Sequence, residues 1–140
     1  MHRLAVLLPF ALVLAACGGG GGPKPDHATL TGVDVRGAAV DFTFDVQPDS
    51  VDAAYAPRRT LAECGSGLPV RPNGAAFAVV HFRPAQSQGV PKRIVMPSGV
   101  VLDVWKVCDF EADVGWAIGV SHRAPVHVGR DGATVTISFG

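Results

Sequence analysis

Hydrophobic and polar residues alternate with a period of two through most of the chain. Val40, Phe42 and Phe44 alternate with polar residues, and Val135 and Ile137 do the same near the end. This pattern predicts strands with one face buried and the other in water. The predicted strands cover residues 29–36, 40–46, 51–56, 75–83, 93–96, 100–107, 114–120, 126–128 and 135–139. Little helix is predicted beside them, so we expect an all-β fold, an antiparallel β-sandwich of about nine short strands.

Short breaks separate these strands. Pro97-Ser98-Gly99 and Asp131-Gly132 lie between apolar runs, and each predicts a hairpin. Residues 53–63 have room for one helical turn, but Pro57 excludes a longer helix. Gly65-Ser66-Gly67 predicts a turn.

The first residues have the pattern of a bacterial export signal. Arg3 precedes an apolar run over residues 4–13, and Leu14-Ala15-Ala16-Cys17 resembles a lipobox. The run is too short to span a bilayer, which needs roughly 20 apolar residues. We interpret residues 1–16 as a lipoprotein signal peptide and Cys17 as the site of lipidation. The chain is then expected to be exported and lipid-anchored in the cell membrane, with its domain facing outward.

A glycine- and proline-rich tether follows over residues 17–27. A flexible coil of about ten residues has a mean length of about 18 Å. Fully extended, it reaches only about 35 Å. Residues 28–140 are long enough for one core and too short for two, so we expect a single domain close to the membrane.

The charges and cysteines of the chain limit the classes of partner it is expected to bind and the chemistry expected of its cysteines. Acidic and basic residues balance, with 12 of each, which argues against nucleic acid as a partner. Cys64 and Cys108 are the only cysteines after Cys17, and exported proteins retain disulfides. We predict that they form a structural disulfide, because they lack the C-x-x-C spacing of redox and metal sites.

An ordered series of short segments resembles the AMIN-like domain of exported bacterial lipoproteins. These segments are Gly65-Ser66-Gly67-Leu68-Pro69-Val70, Gly74-Ala75-Ala76-Phe77, Arg83-Pro84-Ala85, Asp109-Phe110-Glu111, Gly115-Trp116-Ala117-Ile118-Gly119-Val120 and Ala124-Pro125-Val126-His127-Val128. The resemblance implies a β-sandwich related to the AMIN domains that bind peptidoglycan or other envelope polysaccharides. The chain departs from this pattern at Ala112, where the family has glycine, and at Val126 and His127, where it has an aromatic residue and an arginine.

Histidines are the first candidates for site chemistry. A metal-binding lipoprotein would have to bring His81, His122 and His127 together, but their spacing matches no ligand motif. We expect three separate surface histidines and no metal site. His127 alternates with valines and should face solvent.

Three carboxylates near residue 110 also alternate. In one extended strand, Asp109, Glu111 and Asp113 would share a face, as in a calcium or acid–base site. We expect solvated or structural roles, because the segment lacks the ligand pattern of a calcium loop. Glu111 is predicted to be structural, beside a buried Phe110.

Catalysis has little support in the sequence. Ser66 lacks the strand–turn–helix context of a nucleophile elbow, and no zinc-ligand set of an amidase is present. We therefore predict no catalytic residues and no cofactor.

Aromatic side chains remain as candidates for glycan contacts. Trp116 and Tyr55 each lie on the same strand face as apolar residues two positions away, so both should be buried. Trp116 is expected to have a structural role. Trp105 has the opposite parity, which leaves glycan stacking and packing in a second core layer as alternatives. The candidate ligand-binding residues are Trp105, Arg123 and His127.

The sequence thus predicts a membrane-anchored exported lipoprotein with a non-catalytic module. Its expected partners are the membrane, through the N-terminal lipid, and peptidoglycan or another envelope polysaccharide. A protein-interaction lipoprotein that docks an envelope enzyme or complex is the main alternative.

Overall fold

The computed structural model describes residues 25–140, so Cys17, the predicted signal peptide and most of the tether lie outside the described residues. Ten strands and one 3-10 turn form this part of the chain. They are β1 (Ala28–Arg36), β2 (Ala39–Phe44), β3 (Ser50–Tyr55), the turn (Arg58–Thr60), β4 (Ala76–Arg83), β5 (Ala85–Ser87), β6 (Arg93–Val95), β7 (Val101–Phe110), β8 (Asp113–Val120), β9 (Val126–Asp131) and β10 (Thr134–Phe139). Within residues 25–140, no helix has the length and apolar character needed to cross a membrane.

The strands form two five-stranded sheets. The first sheet has the order β5-β1-β2-β10-β9 and the second has the order β3-β4-β8-β7-β6. All neighbours are antiparallel except β1 and β5. This architecture confirms the predicted all-β sandwich and both predicted hairpins, β6–β7 and β9–β10. The short β5 was missed, because Ala85-Gln86-Ser87 has no large apolar residue to mark a buried face.

The main core lies between the sheets. Phe42 of the first sheet contacts Phe82 and Trp116 of the second, with ring centroids 4.9 and 5.8 Å apart. All three side chains are fully buried, which confirms the expectation for Trp116. Burying one large apolar side chain contributes about 1.5–3 kcal/mol, so these inward-facing positions hold the sheets together.

A second, smaller core covers the outer face of the second sheet. Leu61 and Val70 belong to the loop between β3 and β4, and they pack on Phe77 of β4 and Val107 of β7. This outer face is apolar at positions that strand alternation alone would assign to solvent. Both faces of the second sheet are therefore partly covered.

The predicted disulfide attaches this loop to the sheet. Cys64 is bonded to Cys108 of β7, with Cα atoms 5.1 Å apart. The Cys64 N–H also donates to the carbonyl oxygen of Val107 at 2.9 Å. The bridge thus fixes the middle of the loop, at Cys64, to the sheet, as expected for a structural disulfide.

The β7–β8 hairpin separates the three alternating carboxylates. Asp109 is the penultimate residue of β7 and Asp113 begins β8, so a turn at Glu111 and Ala112 excludes the shared face that one extended strand would have given them. Both turn residues have positive φ, 49° and 61°, the pattern of a type I′ turn. The expected buried Phe110 is also wrong, because 59% of its surface is exposed at this tip.

The chain enters the sandwich at one end. The Ala28 N–H donates to the carbonyl oxygen of Pro84, beside the end of β4, at 3.0 Å. The first residue of β4, Ala76, lies at the opposite end. With about 3.3 Å per residue, the two ends are separated by about 23 Å.

Candidate arginine groove

An open groove lies at the end of the sandwich away from Ala28. Its first part has a volume of about 690 Å³ and is lined by Tyr55, Arg58, Phe77 and Arg123, with small residues between them. A second part of about 530 Å³ shares Pro57 and Arg58 with the first. We call this continuous surface the arginine groove; the second part adds Arg59, Leu61, Pro69, Val70 and Arg71 to its lining.

Arg58 is held in place from two sides. It begins the 3-10 turn that follows β3, and its guanidinium lies 4.4 Å above the ring centre of Phe77. Its Nη1 and Nη2 atoms donate to the carbonyl oxygens of Pro72 and Gly74 at 3.4 and 3.3 Å. The ring and the two carbonyl groups fix the plane of the guanidinium.

Arg123 has an equivalent position over Tyr55. Its guanidinium lies 4.3 Å from the ring centre. The Tyr55 hydroxyl donates to the carbonyl oxygen of Ala124 at 2.7 Å and accepts the N–H of the same residue at 3.1 Å. Tyr55, predicted to be buried, is half-buried, because one side of its ring supports Arg123 at the surface.

The pairing of charges sets the groove apart from the rest of the described surface. Most other cations have acidic partners: Arg36 with Asp41, Arg83 with Asp52 and Asp113, Arg93 with Asp103, Lys92 with Glu63, and Lys106 with Asp109. Arg130 instead donates to the side-chain oxygen of Gln47 and the carbonyl oxygen of Pro48. In residues 25–140, five exposed arginines make no ion pair: Arg130, and the four that line the groove, Arg58, Arg59, Arg71 and Arg123.

An ion pair with a buried carboxylate supports the segment that follows Arg71. Asp103 of β7 is fully buried and accepts Nε and Nη2 of Arg93 at 3.0 and 2.6 Å. It also accepts the backbone N–H of Asn73 at 2.7 Å, which fixes the segment that holds Arg58. The hydrogen bond that Arg93 donates to Asp103 is the main cause that raises the pKa of Arg93 above its usual value.

Of the three predicted ligand-binding residues, only Arg123 lines the arginine groove. Trp105 packs half-buried against the second core, and the guanidinium of Arg93 lies 4.2 Å above its ring. His127 is exposed, as expected, but it lies on β9 of the other sheet. The predicted set is therefore divided among different surfaces.

No known protein guides the interpretation of this groove. Neither a family model, nor a curated protein, nor a solved structure matches the chain. The ligand of the groove is therefore inferred from the chemistry of the residues that line it. Tyrosine, phenylalanine, arginine, proline and aliphatic residues line it, with no carboxylate, histidine, cysteine or serine among them. Such a lining suits the binding of an anion.

The remaining predicted site residues lie elsewhere. His81 contacts Asp113 through Nδ1 at 2.8 Å, and His122 contacts the neighbouring Ser121. Among the described residues, no group of three or more histidine, cysteine, aspartate or glutamate side chains is placed to hold a metal ion. Ser66 lies in the predicted turn, where its hydroxyl accepts the Leu68 N–H at 3.2 Å.

Proposed function

We propose that the chain is a lipid-anchored exported lipoprotein whose AMIN-like sandwich binds peptidoglycan or another cell-envelope polysaccharide without catalysing a reaction. The lipobox-like segment ending at Cys17 and the glycine-rich tether support the exported, anchored location. The all-β fold is compatible with the AMIN-like resemblance of the segments quoted above. Fold alone does not specify a ligand, so the proposal depends on the groove.

The observation that carries the proposal is the arginine groove. It joins two parts through Pro57 and Arg58, and an extended site of this kind suits a polymeric ligand. Guanidinium groups held on rings provide several hydrogen-bond donors at fixed positions, as sugar-rich ligands require. The lining also lacks a paired acid and base, in keeping with binding rather than hydrolysis.

Co-sedimentation with purified, protein-free cell-wall sacculi tests the proposal. The full chain, purified from membranes in non-ionic detergent, should bind saturably and leave the supernatant with the sacculi. The double variant Arg58→Gln/Arg123→Gln should bind at least tenfold more weakly. Arg36→Gln is the matched control, because it removes one exposed arginine that is already paired with Asp41. Absence of saturable binding by the folded wild-type chain would overturn the proposal.

The second candidate function is docking of an envelope protein, which β9 favours. This strand forms an edge of its sheet, five of its six residues are exposed, and Val128 leaves 43% of its surface in solvent. Such edges accept an added strand from a partner. A photo-crosslinking residue at position 128 should then capture one discrete protein in intact cells, whereas the same residue at Thr43, on β2 between β1 and β10, should not. Equal labelling at both positions would contradict docking through β9.

A further inference from the structure

The arginine groove is a site for an oxyanion, and we infer that its ligand is a glycan chain that bears carboxylate or phosphate groups. This inference rests on the proposed function and names the ligand class of the same site. Arg58 and Arg123 are assigned as the residues that contact the anion.

The orientation of the guanidinium groups distinguishes a charged ligand from a neutral sugar. A neutral pyranose is usually held by stacking on a free aromatic face, but a guanidinium already covers one face of Phe77 and one face of Tyr55. Stacked in this way, Arg123 keeps the N–H groups along the edge of its plane available, whereas Arg58 donates two of its five N–H groups to Pro72 and Gly74 and keeps the other three. Those edges match the two oxygens of a carboxylate or phosphate.

The unbalanced charge of the groove supports the same conclusion. Arg59 and Arg71 extend the row of arginines that lack a carboxylate partner within the described residues. Positive groups placed near one another repel, and an anionic ligand relieves that repulsion. Since the whole chain has no net charge, the attraction is local to the groove.

The backbone of the groove argues against an acidic peptide as the ligand. A peptide that adds a strand needs a row of free N–H and C=O groups. Three backbone N–H groups at the groove already have acceptors: Ala56 donates to Phe77, Ala75 donates to Val120, and Ala124 donates to the Tyr55 hydroxyl. Recognition therefore depends on side chains, which suits a glycan with regularly spaced anions.

Calorimetric titration of the detergent-purified full chain tests the inference with four soluble probes. These are oligogalacturonate for carboxylate, poly(glycerol phosphate) for phosphate, dextran for a neutral glycan and oligoglutamate for an acidic peptide. At least one charged glycan should bind saturably, and dextran should not bind. The preferred charged glycan identifies the source of the oxyanion.

Variants then locate the site. Arg123→Gln and Arg58→Gln should each weaken binding of the charged glycan about tenfold, equivalent to about 1.4 kcal/mol. Arg123→Lys should recover only part of the loss, because lysine keeps the charge but not the planar fork. Arg36→Gln should change affinity less than twofold. A loss of equal size in the three glutamine variants, with no loss in Arg123→Lys, would overturn the assignment, because net charge rather than a built site would then explain binding.

Other outcomes separate this inference from the proposed function. Saturable binding to sacculi, combined with equal affinity for dextran and the charged glycans, would leave wall binding intact and overturn the oxyanion site. Oligoglutamate that binds tenfold more tightly than either charged glycan would overturn the glycan in favour of an acidic protein segment. Tight binding of a charged glycan without binding to sacculi would support the oxyanion site and refute wall binding.

Discussion

Removal of the Cys64–Cys108 disulfide should lower the free energy of unfolding by about 4 kcal/mol. The two cysteines are 44 residues apart in sequence. In the chain-entropy relation, the entropy lost by cross-linking an unfolded chain grows with the logarithm of the closed loop, and a loop of this size gives about 4 kcal/mol at 25 °C. The double variant Cys64→Ser/Cys108→Ser makes the change without leaving a free thiol.

The folded loop should keep its position without the bridge. The Cys64 N–H bonds the carbonyl oxygen of Val107, and the Glu63 carboxylate pairs with Lys92 Nζ at 2.6 Å. The effect should therefore fall on the unfolded state. Binding of the charged glycan should change less than twofold, because the arginine groove is lined by residues near the two ends of this loop, whereas the bridge lies at its middle.

Urea unfolding followed by tryptophan fluorescence measures the loss. At a typical slope of about 2 kcal/mol per molar urea, the midpoint should fall by about 2 M, and the slope should rise because the unfolded chain without the cross-link exposes more surface. Reduction of the wild-type chain is the control and should reproduce the midpoint of the double variant. A loss below about 1 kcal/mol, or a tenfold change in glycan affinity, would refute the argument.

Three further predictions concern other contacts. Asp103→Ala should lower the free energy of unfolding by about 3 kcal/mol in urea, because it leaves Arg93 and the Asn73 N–H without their buried acceptor. Gly119→Ala should cost about 1–3 kcal/mol in the same assay, since the added Cβ would lie 1.8 Å from the carbonyl oxygen of Asn73. The Thr29 N–H donates a hydrogen bond to the Asp45 carboxylate, and this bond is the largest cause that lowers the pKa of Asp45 in the folded state. Ionised Asp45 therefore stabilises the fold fully above its unfolded pKa of about 4, and this stabilisation is lost as pH falls through the folded pKa.

Matched variants check these three predictions. Asp103→Asn should recover part of the loss, and a cost below 1 kcal/mol for Asp103→Ala would contradict the role of the buried pair. Gly32→Ala is the control for Gly119→Ala, because its nearest neighbour would be Thr43 Cβ at 3.6 Å, an ordinary contact. In urea midpoints measured between pH 5 and about pH 3, Asp45→Asn should show a smaller acid-induced decrease than the wild type. An identical decrease would argue against a contribution from Asp45.

Alternation predicted the strands because one face of most strands packs in the main core. Val40, Phe42 and Ile137 alternate with residues that face solvent, and all three are fully buried. The same rule fails for β5, because Ala85-Gln86-Ser87 contains no alternating large apolar residues. It also ends β7 three residues early, because the strand continues through Cys108, Asp109 and Phe110 to a turn that contains no glycine or proline.

The arginine groove could be predicted only in part. Arg123 was chosen as a ligand residue, but its partner Tyr55 lies more than sixty residues earlier, and their contact depends on how β3 meets the loop after β8. The pair Arg58-Arg59 and the isolated Arg71, in a proline-rich segment with a single acidic residue, were a local signal of positive charge. The loop between β3 and β4 folds over the outer face of the second sheet, and this fold brings Arg58, Arg59 and Arg71 to one groove.

The opposite placement of Ala28 and the arginine groove has a mechanical consequence. In the proposed setting, a wall polymer held in the groove and a lipid held in the membrane would pull on the two ends of the sandwich. The line of tension would then run roughly parallel to the strands, whereas the hydrogen bonds of the antiparallel sheets run perpendicular to them. Load applied in this direction shears many hydrogen bonds of β1 at once instead of opening them one after another. In that setting, the orientation of the strands would favour resistance to stretching between membrane and wall.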